Sequence, residues 1–260
     1  HPDISAWPRE RFYDGMPPAP VQPVAQADAP AAGAGIFESE FLALFESSLA
    51  PGEPAAPASL LRDASGIGER RSWAYPRYAQ RALWLDVDPG RKGTPGNRNE
   101  AEAAKVLGEL QAFVHWATNN PRNNGDGATP WQVAILTFYR GQETLLRDQL
   151  RRESGQFGNS RNFRLPKEAK DASQIRVTLC TVDRFQGHEA DLVLLSFVKP
   201  YGGVGFLNSP NRLNVALTRA RYQLVLIGHR SGFARSRSPL LKGLAETERY
   251  AGDIGWEGNR

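Results

Sequence analysis

The chain has 260 residues, 40% of them hydrophobic, enough for one large α/β domain or two small ones. Its formal net charge of +4 and pI of about 9.3 give a mild bias toward anionic partners. A single cysteine, Cys180, excludes an intrachain disulfide, scattered histidines without Cys/His ligand spacing set zinc aside, and no apolar run reaches membrane-span length.

Along the chain, residues 1–15 are mixed and turn-rich, and a start at His1 rather than Met suits a fragment or processed product. Residues 16–35 are Pro/Ala low complexity. Residues 36–49 place Phe37, Phe41, Leu44 and Phe45 on one helical face, and 50–80 are loop-like. The whole 16–80 stretch is expected to be a disordered or partly helical insert, tolerated at the surface. Regular elements then follow. They are strands at 82–87, 131–138, 175–181, 191–198 and 223–228, and helices at 99–118 and about 141–153. A further helix runs from Ser209-Pro210 to Arg221 and another opens at Ser238-Pro239, each Ser an N-cap before a first-turn Pro. Residues 154–173 are expected to be a polar, basic loop. The strands are unbroken Val/Ile/Leu runs alternating with helices, which predicts a mostly parallel sheet covered on both faces, an α/β domain over 81–250.

In such a sheet, ligands bind beyond the carboxyl ends of the strands. Three polar clusters are expected there: Thr137 to Gln142, Thr181 to Glu189, and the helix carrying Arg212, Asn214, Arg219 and Arg221. Seven positions separate Arg212 from Arg219, so on a helix they share a face, while Arg221 points elsewhere. From Leu192 to Ala245 there is no Asp or Glu, but eight Lys and Arg residues. A guanidinium on a rigid element suits phosphate. Gln186 and Glu189 can hold a ribose hydroxyl, or Glu189 can simply pair with an arginine. No G-x-x-x-x-G-K-[ST] and no acidic pair after a buried strand occurs, so this chain can touch a triphosphate but not cradle it. No G-x-G-x-x-G follows a strand, which sets a dinucleotide fold aside.

These residues resemble the second RecA-like domain of superfamily 1 helicases of the Upf/Senataxin type. "TVDRFQGHEADLVLLSFV" looks like motif V, "GFLNSPNRLNVALTRARYQLVLIG" like motif VI and "AILTFYRGQETLL" like motif IV. His1 to Gly15 is similar to the segment that opens on the HP of QYRMHP, and "NRNEAEAA" to the one opening the helix before motif IV. The resemblance implies a RecA-like three-layer domain, with 1–15 as an inter-domain link. It implies an ATP site completed between this domain and the N-terminal RecA-like domain of the same protein. That partner would supply the phosphate loop and the carboxylates for Mg2+. By the same resemblance, Arg219 is an arginine finger and acts with Gln186 and Glu189. Tyr139, Gln142, Gly187, Glu189, Arg212 and Arg219 border the nucleotide, and Thr137, Thr181, Val182 and Asn214 border single-stranded DNA or RNA, tracked 5′ to 3′. Cysteine usage and family together imply an intracellular protein, cytoplasmic or nuclear, with no membrane partner. Glu143, Ser209 and Asn211 depart from the family pattern. They keep open a second reading: a degenerate module that binds nucleic acid or protein without turnover.

Overall fold

Val, Ile and Leu with both faces apolar form the centre of the protein. A computed structural model describes residues 73–89, 94–123, 128–158, 160–167, 175–199, 207–247 and 250. The link segment 1–15, the helix expected at 36–49 and the Gly-rich loop at 202–205 lie outside the described residues.

The strands are β1 (Ala82–Asp86), β2 (Arg122–Asn123), β3 (Ala128–Thr129), β4 (Gln132–Thr137), β5 (Asn162–Leu165), β6 (Ile175–Thr181), β7 (Ala190–Ser196) and β8 (Ala220–Gly228). The helices are α1 (Glu100–Asn119), α2 (Arg140–Ser154), α3 (Pro210–Leu217), α4 (Arg230–Ala234) and α5 (Pro239–Glu246). Six strands form one sheet in the order β1-β8-β7-β4-β6-β5, and β2 and β3 make a small hairpin. All pairs in the large sheet are parallel except β5 with β6. Helices α1 and α2 cover one face through Ala103, Val106, Leu110, Phe113, Leu146 and Leu150. Helices α3, α4 and α5 cover the other through Leu213, Leu217, Phe233, Leu241 and Leu244. This is the expected RecA-like three-layer α/β architecture.

Three expectations need correction. The helix opened at Ser209 stops at Leu217, with the Thr218 N–H bonded to the Asn214 carbonyl, and β8 starts at Ala220. Ala-Arg-Tyr favours helix or is neutral, but Ala220 pairs with Ala190 of β7, and tertiary pairing overrides propensity. Arg212 is therefore on α3, Arg219 follows it, and Arg221 is in a strand, so the shared helical face of Arg212 and Arg219 does not exist. The basic loop at 154–173 contains a sixth sheet strand, β5, whose Phe163 and Leu165 point inward. Residues 73–80, expected to end the surface insert, supply three rings to the core. Trp73, Tyr75 and Tyr78 are buried, and Trp73 stacks on Phe113 and Tyr222 at 5.7 and 5.4 Å between ring centroids.

Candidate functional site

The three polar clusters do not gather at one end of the sheet. Thr181 and Ser196 both sit level with Thr137, at the carboxyl ends of β6, β7 and β4. The chain then crosses from Thr181 to Ala190, the first residue of β7, in eight residues without an α-helix. A 3-10 turn at Val182–Arg184 starts the crossing, and Gly187, with φ of 79, takes a turn that an L side chain rarely adopts. Glu189 therefore reaches the amino-terminal end, about 20 Å below Thr181 at ~3.3 Å per strand residue.

At that amino-terminal end the structure brings together Glu189, Arg219 and Arg221. The Ala190 N–H donates to the Arg219 carbonyl at 3.1 Å. The Arg219 guanidinium is oriented by two bonds, Nε to the Val215 carbonyl at 3.0 Å and Nη2 to Thr218 Oγ1 at 2.9 Å. Arg221 Nε faces Glu189 Oε2 at 3.4 Å, and its Nη1 faces Asp191 Oδ1 at 3.2 Å. Asp191 is completely buried and also meets Arg122 Nη1 at 3.4 Å and the Gln132 N–H at 2.8 Å. Burial pushes its carboxyl up, against the pull of Arg122, the Gln132 N–H and Arg221. Sequence reasoning missed this hub, although an Asp inside an apolar strand is a signal in itself. Gln186 and Gly187 are exposed on the crossing segment.

The carboxyl end holds the other expected residues. Thr137 is buried and its Oγ1 accepts from the Tyr139 N–H at 3.4 Å. Tyr139 is nearly buried, its ring lies 5.4 Å from Lys199 Nζ, and burial pushes its hydroxyl up to about 12. Thr181 and Val182 are buried at the end of β6. Arg212 Nε donates to Asp183 Oδ1 at 2.9 Å, and Asn214 lies farther along α3.

Gln142, expected at the nucleotide, is instead fully buried under this end. Its Oε1 accepts from the Asn99 N–H at 2.7 Å, and its Nε2 donates to the Asn99 carbonyl and Ser196 Oγ at 3.0 and 3.2 Å. Asn99 caps α1 by accepting from the Glu102 N–H. Glu102 accepts from Ser196 Oγ at 2.6 Å and from the Val198 N–H, which holds Val198 at φ of 73, a strained value for a β-branched residue. Burial pushes the Glu102 carboxyl up to about 7, opposed by these bonds. A Cβ on Gly141 would lie 2.1 Å from the Gly96 carbonyl oxygen, so only glycine lets α2 approach this turn. Glu143 is buried and bonded to Arg147, with Arg184 at 4.0 Å.

A mostly parallel sheet between two helical layers, with polar residues on its connections, is the architecture of a RecA-like domain. The family profile described as an AAA domain matches residues 1–231, and the chain belongs to that family as the C-terminal half region of a superfamily 1, Upf1-like helicase. It is 38% identical over 148 residues to the regulator of nonsense transcripts 1 homolog of Arabidopsis thaliana, covering 56% of this chain and 10% of that protein. It is 36% identical over 113 residues to the ATP-dependent helicase NAM7 of Saccharomyces cerevisiae, covering 43% and 10%. The ATP-dependent helicase upf1 of Schizosaccharomyces pombe is 36% identical over 102 residues, covering 38% and 10%. The chain spans about 10% of the length of these curated relatives. Among the described residues, no helix is long and apolar enough to cross a membrane, and no group of three His, Cys, Asp or Glu could hold a metal.

Proposed function

We propose that this chain is the second motor half of an ATP-dependent nucleic-acid helicase or translocase, with Arg219 as the arginine finger at the amino-terminal end of the sheet. The observation that carries the reading is the Arg219 guanidinium held by the Val215 carbonyl and Thr218, on a residue whose backbone carbonyl is bonded to Ala190, the neighbour of Glu189. In phosphoryl transfer, charge develops on the departing phosphoryl oxygens. A guanidinium already held in place meets that charge with little reorganisation. Such a finger contributes about 10³- to 10⁵-fold, roughly 4–7 kcal/mol of barrier. Glu189, aligned by Arg221, and the exposed Gln186 complete this edge as acceptors for nucleotide hydroxyls or for the attacking water.

The phosphate loop and the carboxylates for Mg2+ belong to the N-terminal RecA-like domain of the same protein. By itself this chain is expected to turn over no ATP. Tyr139 and Gln142 follow the carboxyl end of β4 while Arg219 precedes the amino-terminal end of β8, about 20 Å away along the strands, and Arg212 is paired with Asp183. Single-stranded DNA or RNA is assigned to the carboxyl end, at the Thr137, Thr181 and Val182 connections and on toward Asn214. The setting is intracellular, cytoplasmic or nuclear. The second reading, binding without turnover, has one observation in its favour: Glu143 takes the place of an arginine in the family pattern and is neutralised by Arg147 and Arg184.

The test is Arg219→Ala in the parent protein that carries both RecA-like domains. Strand-stimulated ATP hydrolysis is expected to fall by roughly 10²-fold or more while strand binding without nucleotide survives. Near-normal turnover would remove Arg219 from this role. A wild-type parent without turnover would favour the binding module.

A further inference from the structure

On the face covered by α3, no described helix lies over β5 and β6. That open ground is a cavity of about 740 Å³ between the edge strand and the 182–189 crossing. Five basic side chains line it: Arg161, Arg164, Arg176, Arg184 and His188, all exposed. Its one carboxylate, Glu189, is engaged with Arg221. Arg164 and Arg176 are direct cross-strand partners, and Asn162 and Thr178 sit one step along the same face, joined by a 3.0 Å hydrogen bond. Like charges directly opposite on neighbouring strands destabilise a sheet. Neither arginine, nor Arg161, forms an ion pair with any described residue, so all three present their charge to solvent and to an incoming anion.

One exposed ring adjoins a residue of the cavity wall. Phe157 is 86% exposed, an unusual position for a large apolar ring, and it follows Gln156, whose Nε2 donates to the Arg164 carbonyl at 3.0 Å. On the opposite wall the exposed His188 ring packs beside the buried Phe185 at 5.7 Å between ring centroids. A basic groove flanked by rings is the chemistry that holds the backbone of a single strand while its bases stack. An acidic protein segment would match the arginines but would leave Phe157 without a role.

We infer that the β5–β6 face is a second contact for single-stranded nucleic acid, across the 182–189 crossing from the residues assigned above, with phosphates on Arg164 and Arg176 and a base on Phe157. The inference rests on the nucleic-acid partner proposed above. The experiment measures binding of oligothymidylate and oligouridylate of equal length to the full chain by fluorescence anisotropy across a salt series. Arg164→Gln/Arg176→Gln is expected to weaken binding about tenfold or more and to make the log–log salt slope shallower by about 1.4, the value for two phosphates on a single strand. Arg164→Lys/Arg176→Lys should restore the slope, and Phe157→Ala should weaken binding without changing it. Melting curves like wild type confirm that the variants fold. A Gln double variant with wild-type affinity and slope, or a wild-type chain that binds no strand, overturns the inference. Polyglutamate bound as tightly, with the same dependence on both arginines, overturns the strand as occupant. Strand-stimulated ATP hydrolysis by the parent is read separately, so loss of this groove and loss of the helicase reading give different results.

Discussion

Replacing Arg221 by Ala should mainly cost stability, and the size follows from the Asp191 hub. Asp191 is completely buried and faces two cations and one backbone N–H. Removing one partner of a buried pair costs about 3–5 kcal/mol when the remaining charge is stranded. Here Arg122 and the Gln132 N–H stay, and Arg221 itself is 30% exposed, which screens part of its contribution. The expected loss is therefore about 1–3 kcal/mol, a fall in Tm of roughly 2–4 °C for each kcal/mol in a domain of this size. The pH dependence has a definite sign. Asp191 already titrates above its ordinary range, and losing Arg221 pushes it higher. With Asp191 protonated in both proteins the pair contributes little, so the deficit is small at low pH and grows as pH rises through the carboxylate range. Urea unfolding of the 260-residue chain and its Arg221→Ala variant at several pH values measures this. A deficit below about 0.5 kcal/mol, or one that shrinks with rising pH, would refute the hub as a charged structural tie.

Trp73→Ala should destabilise the chain by about 3–5 kcal/mol, because the ring is buried among Phe113, Trp131 and Tyr222; denaturant midpoints check it, and a change below about 1 kcal/mol would return residues 73–80 to the surface insert. Gln142→Leu leaves the buried Asn99 N–H without its partner, while the Asn99 carbonyl keeps the Ala103 N–H, so the cost is about 1–3 kcal/mol for one unsatisfied group, and hydrogen exchange at the start of α1 should rise more than in β8.

The central strands were legible in the sequence because they are apolar on both faces and have a definite length. β5 was not, because Asn-Phe-Arg-Leu is four residues of plain alternation inside a basic stretch, and only pairing with β6 makes it a strand. The end of α3 was hidden for a related reason: Thr218 to Tyr222 carries no Gly or Pro, so only the register with β7 marks the change from helix to strand. Trp73, Tyr75 and Tyr78 follow directly on Pro- and Gly-rich residues that hide them, although three aromatic rings so close together are poor loop composition. For the candidate site, the family resemblance singled out Glu189 and Arg219, but the general rule for parallel sheets put them at the carboxyl ends of the strands, whereas they lie at the amino-terminal end. The connection length held that information. Eight residues without a helix between two parallel strands must run down the sheet. Gln142 shows the opposite difficulty, since a polar residue at a motif position can serve the interior, and sequence alone does not separate that from a ligand contact.

The crossing from Thr181 to Ala190 has a mechanical consequence. Its ends are about 20 Å apart along the strands and about 10 Å across them, while nine Cα steps span at most ~30 Å fully drawn out. A 3-10 turn and the bend at Gly187 consume most of the difference. The segment is thus a short strap whose only slack is its two turns. Val182 is locked in the core at one end and Ala190 in β7 at the other, so a displacement of the upper anchor larger than those turns can give must move Glu189.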